Sequence, residues 1–62
     1  MTTLQLETHR GETVASSTIT HKSRRVALIA ALRWIRDAVK ADPDAMHYVL
    51  DQEFVLFAEG KL

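Results

Sequence analysis

Hydrophobic and polar positions alternate through TTLQLETH: Leu4, Leu6 and Thr8 fall on one side of an extended chain, Gln5, Glu7 and His9 on the other. A period of two is that of a half-buried β-strand. Arg10-Gly11-Glu12 follows, and Gly11 can take the positive φ that a tight hairpin demands. TVASSTIT then supplies β-branched residues for a second strand. Its polar content and poor alternation place it at the edge of a sheet.

The period then changes. Across KSRRVALIAALRWIRDAVK, residues 22–40, apolar residues recur every three or four positions, which is the pattern of an amphipathic helix. With Leu28 at zero and 100° per residue, Leu28, Ala31, Leu32, Ile35, Ala38 and Val39 gather into one stripe. Ala27 and Trp34 extend it at one edge and Ile29 at the other. Thr20 or Ser23 is the expected N-cap, through a hydroxyl that accepts from a free N–H of the first turn. The helix is expected to end near Ala41, because Pro43 disfavours helical geometry at Asp42.

The last segment, AMHYVLDQEFVLFAEGKL, has the ends of a helix, with Asp42 as cap, Pro43 at the first position and Gly60 as terminator. Its apolar residues run nearly all the way round a helical wheel, however. MHYVL and FVLFA read better as two strands joined at Asp51-Gln52-Glu53; one bent strand with a bulge at Asp51 is a close variant. In regular alternation FVLFA is apolar on both sides, with Phe54 and Leu56 pointing one way and Val55 and Phe57 the other. A single helix covers only one face of a sheet, and a second copy of the chain is the simplest cover for the other. Phe54, Val55, Leu56 and Phe57 are therefore the expected homodimer interface. The fold expected is α+β, a small two-layer ββαββ domain spanning residues 1–62.

Length reinforces this expectation. A chain of 62 residues buries only about 60% of the surface that it exposes when unfolded. It has no cysteine for disulfides, which leaves oligomerisation as the usual stabilising aid at this size. No apolar run approaches the roughly 20 residues of a membrane span. The stretch MTTLQLETHRGE lacks the positive start and apolar centre of a signal peptide. A cytoplasmic location without membrane association is expected.

Formal net charge is zero, but the charges are segregated. Glu7, Arg10 and Glu12 give −1 over residues 1–20. Lys22, Arg24, Arg25, Arg33, Arg36 and Lys40 against Asp37 give +5 over residues 21–41, and Asp42, Asp44, Asp51, Glu53 and Glu59 against Lys61 give −4 over the rest. On the helical wheel Lys22, Arg25, Arg33, Arg36 and Lys40 form one row, about 27 Å long at 1.5 Å per residue. Such a ridge is open to two structural readings: a solvated face, or a face paired with the acidic C-terminal segment. In the functional reading it meets an acidic partner, and Trp34 beside it is a candidate interface anchor. An acidic protein surface is expected first and nucleic acid second, because dedicated nucleic-acid binders are usually basic overall. A non-enzymatic regulator or inhibitor of phage or bacterial type has this size and character.

No catalytic constellation is legible. There is no Gly-x-Ser-x-Gly and no phosphate-cradling loop, and the only glycines are Gly11 and Gly60. His9, His21 and His47 stand singly, without metal-ligand spacing. No cofactor, metal or small-molecule substrate is implied, and the chain carries no motif specific to a known family.

Overall fold

The computed structural model describes residues 1–61. Strands β1 (Thr2–Arg10) and β2 (Thr13–His21) are followed by helix α1 (Arg24–Ala41), then strands β3 (Met46–Asp51) and β4 (Phe54–Gly60). The four strands form one antiparallel sheet in the order β2-β1-β3-β4, with α1 on one face. This is the small ββαββ domain that the two hydrophobic periods imply. No helix among the described residues is long and apolar enough to cross a membrane.

Each hairpin turns on one left-handed residue. Gly11 has a φ of 58°, where an added Cβ would meet nothing, so its role is conformational rather than steric. In the second hairpin the left-handed residue is Gln52, with a φ of 59°. That position is uncommon for a residue bearing a Cβ, and it explains how a turn without glycine or asparagine closes two strands. Gly60 is confined by packing: a Cβ there would lie 2.2 Å from the Ala45 carbonyl oxygen, which accepts from the Lys61 N–H at 3.1 Å.

The core lies between α1 and the central strands. Leu4 and Leu6 of β1, Val49 of β3, and Ala27, Ala31 and Ile35 of α1 are all buried. The helix is turned from the expected orientation. Its buried line centres on Ala31, about 60° round the wheel from Leu28, and Leu32 and Ile29 are each 44% exposed. Two alanines facing the sheet let the backbones approach closely, which the leucines would prevent. The opposite face of the sheet presents Gln5, Glu7 and His9 of β1 and Ser16 and Thr18 of β2, and over those two strands it is polar apart from Val14, which pairs with His9.

A bulge alters β4. Val49 pairs with Phe57 but Leu50 pairs with Val55, so Leu56 is the extra residue. The irregularity is on β4, not at Asp51. Opposed residues in an antiparallel pair share a face, and Val49 faces the helix, so Phe57 does also. Leu56 packs against the same core, and Phe54, opposite Asp51, is on the helix side too. Val55 and Ala58 turn away, opposite Leu50 and Tyr48. FVLFA thus keeps apolar residues on both faces, but the bulge gathers Phe54, Leu56 and Phe57 on the helix side and leaves Val55 and Ala58 on the other. Phe54 is 74% exposed and Val55, on the far side, 52%.

Candidate interaction surface on the outer face of α1

The N-cap is Ser23, whose Oγ accepts from the Val26 N–H at 3.4 Å. This fixes the start of the helix at Arg24 and leaves Lys22 in the connection before it. The helical part of the basic ridge is therefore Arg25, Arg33, Arg36 and Lys40, spanning about 22 Å. All four, and Lys22, are exposed. Three apolar side chains lie within the same arc of about 120°: Val26, Ile29 and Leu32, between 44% and 46% exposed. The outer face of α1 is thus a mixture of cations and exposed aliphatic surface. Val26 was not among the residues singled out from the sequence, although its wheel position, opposite the stripe, signals exposure.

The ridge cations form no ion pair among the described residues. Among the described residues the ion pairs are His9–Glu7, Arg10–Asp42 and Arg24–Asp51, none of which uses a ridge cation. Asp51 of the acidic segment is held at 2.8 Å by Arg24, the one helix cation that lies off the ridge. Glu59 shares a groove of about 340 Å³ with Leu32, Ile35, Arg36, Val39 and Lys40, without forming an ion pair there. Lys40 stands in the last turn of α1, where a cation is favoured by the helix dipole.

Trp34 is elsewhere. It is half-buried, packed against the core, and its ring meets that of His47 edge-on, with centroids 6.2 Å apart and planes at 83°. Its place is under the helix, and it does not belong to the ridge.

His47 is 1% exposed. Its Nε2 lies 2.9 Å from the Asp42 carbonyl oxygen and its Nδ1 2.9 Å from Thr8 Oγ1. A carbonyl only accepts, so Nε2 donates to it, while Nδ1 and the Thr8 hydroxyl form the second hydrogen bond. The ring fastens the end of α1 to β1 with both nitrogens satisfied. Asp42 is held in turn by Arg10, whose Nε donates to Oδ2 at 2.9 Å and whose Nη2 reaches the same oxygen. That contact lowers the carboxyl pKa of Asp42 and raises that of the Arg10 guanidinium. His9 and His47 lie on neighbouring strands but on opposite sheet faces, since His9 pairs with Met46 and His47 with Thr8. His9 Nε2 donates to Glu7 Oε1 at 2.7 Å, and its ring meets that of Tyr48 with centroids 4.7 Å apart. No group of three His, Cys, Asp or Glu suited to a metal occurs among the described residues. Comparison with protein-family models, curated proteins and solved structures finds no match to this chain.

Proposed function

We propose that this chain is a non-enzymatic interaction protein that binds an acidic protein surface through the outer face of α1. Arg25, Arg33, Arg36 and Lys40 face the partner's carboxylates, and Lys22 extends the row. One observation carries the choice of partner: Val26 and Ile29 are exposed between the cations. Protein interfaces combine apolar contact with arginine at their best-packed positions. A phosphate backbone asks chiefly for charge. Arginine makes three of the four helical contacts, and its fork matches a carboxylate in two parallel hydrogen bonds. Nucleic acid is the second reading, supported by a row of cations that form no ion pair among the described residues.

Three labelled probes distinguish the readings by fluorescence anisotropy at moderate salt: a helical peptide alternating glutamate with leucine, polyglutamate, and duplex DNA. The mixed peptide is expected to bind tightest. Arg33→Glu/Arg36→Glu should weaken it more than tenfold, by roughly the effect of losing one to two buried arginine contacts. Ile29→Ser should weaken the mixed peptide alone. Preferred binding of DNA, with affinity falling linearly in log–log salt plots and unchanged by Ile29→Ser, would replace the protein partner with nucleic acid.

A further inference from the structure

We infer that the free edge of β4 pairs antiparallel with β4 of a second copy, in a single register set by the bulge. The inference does not rest on the ridge. It begins from the difference between the two sheet edges. β2 offers TVASSTITH, which is mostly small and polar, whereas the first five residues of β4, FVLFA, are all apolar; neither strand carries the lysine or proline by which edges are commonly protected. Helix α1 packs over β2, β1 and β3 and reaches β4 least, so the apolar side chains of β4 are the least covered in the sheet.

The facing along β4 is symmetric about the Leu56–Phe57 bond. Leu56 and Phe57 both pack on the core side. Val55 and Ala58 both face away, opposite Leu50 and Tyr48, while Phe54 and Glu59 both face the helix, opposite Asp51 and His47. An isologous antiparallel pair must place each residue opposite one on the same face. Pairing Leu56 with the partner copy's Phe57, Val55 with its Ala58 and Phe54 with its Glu59 meets that condition at every position. A shift of one residue in either direction opposes Val55 to Phe57, or Leu56 to Ala58, on different faces.

That register also joins a knob to a hole. Phe54, 74% exposed, stands at one end of the strand. Glu59, at the other end, borders the groove floored by Leu32, Ile35 and Val39. Setting Phe54 opposite the second copy's Glu59 brings the phenyl ring to that groove, and the two-fold axis repeats the contact. Eight strands then form one continuous sheet, and each copy's most exposed aromatic ring is covered by the other.

Sedimentation equilibrium tests the pairing, with far-UV circular dichroism as a check on folding. Wild type is expected at twice the 7.0 kDa of one chain. Phe54→Glu, at a solvent-facing position, should stay folded and dimerise at least about tenfold more weakly, since it removes the aromatic ring that fills the partner's groove and opposes two carboxylates. The chain has no cysteine, so Val55→Cys and Ala58→Cys can be mixed and oxidised. A disulfide joining one of each is expected, exceeding the products of either variant alone. A monomeric wild type overturns the inference. So does a dimer that keeps its strength in Phe54→Glu or gives no mixed disulfide, which would move the contact to another surface such as the β2 edge.

Discussion

The two faces of α1 are built from different materials for different ends. The inner face is made of Ala27, Ala31 and Ile35, two of them small, with Leu28 and Trp34 closing its sides. The outer face carries larger side chains, four cations with Val26 and Ile29 among them, and leaves them in water. Burial alone would reverse this, placing leucine and isoleucine inside. Close approach of helix and sheet selects small residues at the centre of contact. Larger aliphatic groups are then displaced outward, where they are available to a partner.

Substitution separates the two faces most widely in the core. Ile35→Ala should cost about 2–4 kcal/mol, the usual range for a buried aliphatic truncated to alanine. For a domain of this size that is a large part of total stability. Ile29→Ala on the outer face should change stability by no more than about 0.5 kcal/mol. Urea denaturation followed at 222 nm, an ordinary far-UV helix signal, reads both; equal losses would abolish the distinction.

The inner face is fastened at its C-terminal end by His47, and a smaller effect is expected there. His47→Leu keeps the bulk but strands the Thr8 hydroxyl and leaves the Asp42 carbonyl only the longer bond from the Ala45 N–H at 3.4 Å. The expected loss is about 1–3 kcal/mol. Adding Thr8→Val to His47→Leu should return part of it, because the stranded hydroxyl is then removed. Failure of that rescue would locate the effect in packing against Trp34.

The smallest effect is electrostatic. Arg10 lowers the pKa of the Asp42 carboxyl in the folded chain, so the unfolded chain takes up this proton first as pH falls. The stabilisation is full above the ordinary aspartate pKa, about 3.9. It is lost as pH descends through the lower folded value. Asp42→Asn should flatten that part of the acid denaturation profile, while Arg33→Glu on the outer face should leave it in place.

The order of elements was determined by local chemistry. Period two in TTLQLETH, period three to four through residues 24–41, Gly11 at the first turn and Pro43 after the helix each act within a few residues. The row of cations was equally legible, because a helical wheel needs only sequence spacing. Tertiary structure decided the remainder. The rotation of α1 followed from how closely two alanines allow the sheet to approach, which depends on the opposing strands. The partners of Arg24 and His47 lie 27 and 39 residues away in sequence, on Asp51 and Thr8, and spacing alone does not pair them. The facing of β4 was settled by one extra residue at Leu56, an irregularity that exists only relative to β3. Periodicity reports what a segment does by itself; register, rotation and pairing are properties of two segments in contact.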